Sequence, residues 1–187
     1  MKQIVRPMAI LGVICIVCGG LLGVVESVTR EPIRVQAEAT ATAGMKKVAP
    51  EAASFEAIEV PAGEVSEDIA VASANKALDA SGNVIGYVVE VLPSGFGGTI
   101  DLMVGVDTEG AVTGISILSL AESPGLGARC TEDWFVAQFV GQTSPVAVTK
   151  DGGSIESITS ATITSRAIAN GVTAACDWAT AYAGGAN

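Results

Sequence analysis

Along the chain, hydrophobic and polar positions pass through three rhythms: a continuous apolar run, a polar stretch, then a body of short, largely apolar segments. From Met8 to Val25 the residues read MAILGVICIVCGGLLGVV, eighteen positions without a charge. About 20 helical residues cross the roughly 30 Å hydrocarbon layer of a bilayer, so this run with its flanks predicts a single transmembrane helix. Lys2 and Arg6 precede it, and Glu26, Arg30 and Arg34 follow. The purely basic leading tail predicts a cytoplasmic N-terminus and a body on the extracytoplasmic side of the cell membrane, with Arg30 and Arg34 pulling the other way. A cleaved signal peptide is the rival reading, with Ala37-Glu38-Ala39 as a late cleavage site; lipid attachment at Cys18 is another. The run is longer than a signal core, and Ile16 and Val17 stand where a lipoprotein site wants a small residue.

Val28 to Val48 is polar, Ala-rich and free of aromatics, which suits a partly helical stalk, broken near Gly44 and ended by Pro50. Glu51 to Asp68 is acidic and irregular, with a short strand expected at 55–60. Beyond it the pattern becomes that of strands. The segments 72–78 and 84–92 flank the turn Asp79-Ala-Ser-Gly-Asn83, and 99–106 and 111–120 flank Asp107-Thr-Glu-Gly110. Pro93-Ser-Gly-Phe-Gly-Gly98 separates the two pairs. Thr131 is placed to cap a helix on which Trp134, Phe135, Gln138 and Phe139 recur at helical spacing. A last helix is expected over 163–183, with Ile168, Val172, Ala175 and Trp178 or Ala179 on one face. With no βαβ repeat and no GxGxxG, the pattern predicts an α+β fold, an antiparallel sheet with packed helices, on a single N-terminal transmembrane helix.

Charge changes the picture of partners. Residues 1–50 carry six Lys/Arg against three Glu, and residues 51–187 carry four against seventeen Asp/Glu, or +3 and −13. A body so acidic excludes nucleic acid, whose phosphates must be neutralised by basic side chains. Solubility is the simplest reading of the excess. There is no His. That removes Ser-His and Cys-His nucleophile pairs and most zinc sites, so no catalytic residue and no metal site is expected, and any chemistry falls to a bound cofactor. Cys15 and Cys18 lie one helical turn apart in the apolar run, where small soft hydrophobes explain them. Cys130 and Cys176 could pair or stay reduced.

The candidate chemistry lies in Glu156-Ser-Ile-Thr-Ser-Ala-Thr-Ile-Thr-Ser165. Hydroxyl residues crowding a helix start are ordinary capping residues; the chain has Ala39-Thr-Ala-Thr42 elsewhere with no function implied. A helix start is also where backbone N–H groups and the helix dipole stabilise a phosphate. Thr159-Ser160-Ala161-Thr162-Ile-Thr164-Ser165 resembles the S/T-G-A-T-x-T/S motif of the FMN-binding domain found in RnfG, of the Rnf electron-transport complex, and in NqrC. The basic tail and anchor, Val28-Thr-Arg-Glu-Pro32, Gly95-Phe-Gly-Gly98, Glu122-Ser-Pro-Gly-Leu-Gly127 and Trp134 to Gly141 resemble RnfG in the same order, over nearly the whole chain.

The resemblance implies that Thr162 is esterified to the 5′-phosphate of FMN by a flavin transferase. It implies that Gly97, Gly98, Glu122, Ser123, Leu126 and Gly127 wall the flavin pocket, with Thr159, Ser160, Ala161 and Thr164 around the attachment point. Lys150 is placed to neutralise the phosphodiester, although a solvated Lys is an equal reading. Residues 1–27 would then be tail and anchor, 28–50 the stalk and 51–187 the FMN-binding domain. The function implied is electron transfer within a membrane-bound, ion-translocating ferredoxin:NAD oxidoreductase, the Rnf complex, alongside its other membrane and iron–sulfur subunits, coupled to Na⁺ or H⁺ movement. NqrC, from the sodium-translocating NADH:quinone reductase, shares the motif but is usually longer between anchor and motif. An anchored binding module without flavin is the third reading. Ser160 departs from the family's Gly, and if that position needs φ > 0 a Ser costs on the order of 1 kcal/mol.

Overall fold

In the computed structural model the apolar run and the polar stretch form one helix, α1 (Lys2–Val48). The structure describes residues 2–61, 65–66 and 69–185, and of residues 2–10, 13, 14, 33 and 65 only the backbone. The chain divides into two compact units between Ala41 and Thr42. In the first, the helix past the apolar run is laced by pairs one turn apart. Arg30 bonds Glu26 at 2.5 Å, and Arg34 bonds Glu31 at 2.7 Å and Glu38 at 2.8 Å. Such pairs support an isolated helix by a few tenths of a kcal/mol each, about 0.2–0.5. Among the described residues, no helix is long and apolar enough to cross a membrane. The expected span begins on Met8 to Ile10, and includes Val13 and Ile14, whose side chains lie outside the description.

The second unit holds the last turns of α1, one sheet and the C-terminal helix α3 (Thr162–Gly185). The expected break at Gly44 does not occur. A Cβ at that position would stand 2.7 Å from Leu118 and 3.1 Å from the Met103 sulfur. Gly44 is therefore a close-packing position on a continuing helix, and its cost in helix propensity, about 1 kcal/mol against Ala, is offset by that approach. The helix ends at Val48, two residues before Pro50, whose ring disfavours helical backbone in its predecessor.

The sheet is antiparallel in the order β1-β3-β4-β5-β6. It comprises β1 (Ser54–Ile58), β3 (Ile69–Leu78), β4 (Val84–Leu92), β5 (Asp101–Asp107) and β6 (Val112–Ser119), with the short β2 (Val65–Ser66) pairing β3. Half of the stretch between β1 and β3, residues 62–64 and 67–68, lies outside the described residues. One face of β4 and β5, with Val89, Val91, Leu102 and Val104, packs on Ile168, Val172, Ala175 and Ala179 of α3. The other face receives Val48, which is fully buried. A Cβ on Gly105 would stand 2.4 Å from its carbonyl oxygen, to which Thr113 donates at 2.6 Å. Covering on both sides explains why these two strands read as nearly continuous apolar runs.

Thr131 does not cap a helix. It closes a 3-10 turn (Gly127–Thr131) and donates to the Ala128 carbonyl at 3.0 Å. The helix after it, α2 (Asp133–Val136), is four residues long and passes into a second 3-10 turn (Ala137–Phe139). Phe135 and Phe139 are buried edge to face against one another, so helical spacing here reflects two anchors rather than a long helix. Cys130 and Cys176 are both buried and unpaired, and burial raises their thiols to about 11 and about 12.

Candidate functional site

The turn Ile158 to Ala161 leads directly into α3. The Ala161 N–H donates to the Ile158 carbonyl at 2.9 Å, and Ser160, third in the turn, has φ of +64°. That is the position at which a type II turn requires positive φ and favours Gly. Ser160 is the one non-glycine residue with positive φ among the described residues. Ser165, fully buried, secures the arrangement: its hydroxyl accepts the Ile158 N–H and donates to the Ala161 carbonyl, both at 3.0 Å. Thr162 is thereby set as the first residue of α3, where unpaired N–H groups point outward.

Glu122 is buried, with 8% exposure as a residue. Its Oε1 accepts the N–H of Phe96 at 2.8 Å and of Gly97 at 3.1 Å. A Cβ on Gly95 or Gly127 would stand 2.2 or 2.3 Å from the same carboxylate. The glycines on either side thus make room for the acid that joins the 93–100 loop to the 122–127 loop. Gly97 has a second constraint, since its Cβ would meet the Ala121 carbonyl oxygen at 2.3 Å. The N–H of Gly97 is therefore spent on Glu122. A charge-assisted bond of this kind contributes about 1.5–3 kcal/mol, enough to hold a loop in register.

A cavity of about 380 Å³ lies where these segments meet. Phe96 borders it from the first loop, Glu122, Ser123, Leu126 and Gly127 from the second, and Ser160 to Thr164 from the start of α3. Gly97, Gly98 and Thr159 do not line it. Lys150 reaches the site from a separate 3-10 turn (Thr149–Asp151), its Nζ donating to Thr162 Oγ1 at 2.9 Å. The same turn is tied to α3 by a bidentate pair in which Arg166 Nε and a terminal guanidinium nitrogen each donate to Asp151 at 2.6 Å. Hydrogen bonding from Arg166 holds the Asp151 carboxyl below its ordinary range, and Asp151 raises the guanidinium in turn.

Phe96 and Ile163 border the cavity although neither stands out in the sequence as a site residue, and Ser165 supports it. An aromatic between glycines in a chain only 4% aromatic was a usable signal for Phe96. Nothing in the sequence separates Ser165 from its hydroxyl neighbours, because its role depends on the turn folding back over the helix.

Residues 95–177 match the model of the FMN-binding domain family. The chain is 34% identical over 186 residues to the G subunit of the ion-translocating oxidoreductase complex of Methanosarcina acetivorans, covering 98% of each. The chain belongs to the RnfG family. It is also 35% identical to the G subunit of the Na⁺-translocating ferredoxin:NAD⁺ oxidoreductase complex of Acetobacterium woodii, covering 91% of this chain and 89% of that one. Among solved structures, NqrC of Shewanella oneidensis aligns with a TM-score of 0.46 at 20% identity, over 54% of this chain and 53% of that one. The matched FMN-binding region spans all three cavity-forming segments, from the 95–98 loop to the body of α3. In this RnfG-family chain, the cavity thus lies wholly within the domain named for the cofactor.

Proposed function

We propose that this RnfG-family protein carries FMN as a phosphoester on Thr162 and passes electrons within an ion-translocating ferredoxin:NAD oxidoreductase complex. The observation that carries the reading is the position of the Thr162 hydroxyl: first residue of α3, on the cavity wall, with the Lys150 ammonium 2.9 Å away. A phosphate there would meet both a helix N-terminus and a cation. The rest of the cavity suits a planar, amphipathic group. Phe96 is 73% exposed, Ile163 53% and Leu126 46%, an apolar border left open beside a buried hydroxyl residue, Thr164. Cavities of this size with an apolar lining and few polar groups are the usual form of cofactor sites.

When bound, FMN supplies the electron-transfer chemistry that no side chain of this chain offers. The chain's own part is placement. Glu122 fixes the relation of the two loops, the Ser165 bonds fix Thr162, and covalent attachment keeps the cofactor on its carrier. Alone, the protein turns over nothing; it works with the other subunits of the complex, and a flavin transferase makes the ester. Translocation of ions needs a membrane, and the run from Met8 to Val25 anchors the chain in it, N-terminus cytoplasmic and flavin domain outside. In support, Leu11, Ile16, Leu21, Leu22 and Val24 are each more than 60% exposed on α1, apolar surface suited to lipid. Residues 1–27, 28–50 and 51–187 then serve as anchor, connecting helix and flavin domain.

Intact mass tests the ester. Chain made with its transferase should weigh the sequence plus FMN less one water, and give a fluorescent band that survives denaturation. Thr162→Ala should abolish both. An unmodified mass for the purified native protein would sink the covalent reading.

A further inference from the structure

We infer that the Asp151–Arg166 pair is a clamp that holds Lys150 on the Thr162 hydroxyl, making that hydroxyl an acceptor for a phosphoryl group. This rests on the proposed ester at Thr162 and concerns how the chain prepares for it.

Three features lead to it. Lys150 and Asp151 are adjacent in one short turn, so whatever fixes Asp151 also fixes the backbone that carries Lys150. Arg166 lies four residues after Thr162, on the same face of α3, and is joined to Asp151 through two bonds of 2.6 Å. A bidentate Arg–carboxylate contact has one preferred geometry, unlike the loose pairs common on surfaces. The turn is also pinned from behind: the Thr149 N–H donates to the Ile155 carbonyl at 2.8 Å and the Gly153 N–H to the Val148 carbonyl at 3.0 Å. Lys150 is thus an exposed, flexible side chain on a fixed base, with its ammonium on the oxygen that would become the ester bridge.

In the step concerned, a phosphoanhydride of FMN is the donor. The Thr162 Oγ–P bond forms, the P–O bond of the anhydride breaks, and the leaving phosphate takes the bonding pair. The hydroxyl proton is lost to solvent or to the transferase, and nothing is oxidised or reduced. The ammonium donates to Oγ1, leaving the hydroxyl proton free to depart, and its charge favours the oxygen as the proton leaves. It also faces the negative charge of the incoming phosphoryl group. Arg166, with its Nε and one terminal nitrogen engaged on Asp151, acts through position.

The test is the rate at which the full-length chain gains the flavin mass, with purified transferase and flavin adenine dinucleotide as the anhydride donor. Lys150→Met should slow the gain roughly tenfold to a hundredfold, less than the roughly hundredfold to thousandfold that a donor in a water-excluded site is worth, because this site is exposed. Lys150→Arg should restore most of it. Arg166→Leu and Asp151→Asn should each slow the gain by similar factors, and the double variant by no more than either, since they disable one clamp. Circular dichroism melting should change little for any of them, because all three side chains are exposed. The proposal is overturned if Lys150→Met gains mass at the parental rate. It is overturned also if Asp151→Asn matches or exceeds the parent while Arg166→Leu is slow, for a freed Arg166 would then be the phosphate's partner itself. A parent chain that gains no mass at all removes the ester at Thr162, and the clamp's role with it; loss of the effect in variants of a modified parent removes the clamp alone.

Discussion

Ser160 holds φ at +64°, a region that L residues other than Asn and Asp rarely enter, at the turn before Thr162. The strain is carried by its neighbours: the buried Ser165 bonds both ends of the turn, so the backbone has no nearby alternative that keeps these contacts. Ser160→Gly should remove it. We expect a gain of up to about 1 kcal/mol, the left-handed penalty less the greater chain entropy of Gly, read as a higher midpoint in chemical denaturation of the detergent-solubilised chain. No change, or a loss, would mean that the Ser side chain gives back what its backbone costs. Glu122 makes a complementary point. A carboxylate bordering a cavity invites a proton-transfer role, yet one of its oxygens is committed to two backbone N–H groups. Its evident work is to join two loops.

At the scale of elements, the junction between α1 and the sheet is closer than a stalk would suggest. Val48 is buried, its carbonyl accepts from Thr113, and Gly44, Gly105 and Gly114 allow the helix end to lie against β5 and β6. Gly105→Ala would put a methyl group 2.4 Å from the Val48 carbonyl oxygen. Overpacking of this kind costs typically about 1–3 kcal/mol, so the variant should unfold at lower denaturant and be cut faster by protease near residue 48. Unchanged cleavage would show that the contact does not fix the helix end. Val48 on one face and α3 on the other account for the apolar run of β5 between Asp101 and Asp107, which an exposed back face would have turned into strict alternation.

Among the described residues the acidic excess is mostly solvated, but Glu122 is buried and Asp101 partly so. Asp101, at the start of β5, neighbours Glu90 near the end of β4, and the two frame the loop that carries Phe96. Ser73 donates to Glu90 at 2.5 Å, while Asp101 Oδ1 is buried without a partner. Burial first, and then the Glu90 charge, raise Asp101 to about 6. An acid whose pKa is higher folded than unfolded binds its proton more tightly in the native state, so the unfolded state carries fewer protons between about 4 and 6. Stability from this group is therefore greatest below that window and declines as pH rises through it. Asp101→Asn should flatten the decline and raise the melting temperature at pH 7 more than at pH 4. Equal shifts at both values would assign the effect to packing instead of charge.

Local chemistry determined much of this protein. Turn residues at 79–83 and 107–110 bound strands whose ends agree with the pattern to within a few residues, because hairpin geometry is set by a few adjacent dihedrals. The hydroxyl-rich start of α3 and the apolar face behind it were equally legible, since both follow from helical periodicity. Thr131 misled because a hydroxyl satisfied by a carbonyl three residues back looks, in sequence, like a cap. Tertiary structure alone decided the rest. Gly44 reads as a helix breaker until Leu118 and Met103 are brought beside it. Glu122 meets Phe96 across 26 residues, and Lys150 meets Thr162 across 12. Contacts between separate loops depend on how the sheet and α3 are stacked, and no periodicity in the chain encodes that distance.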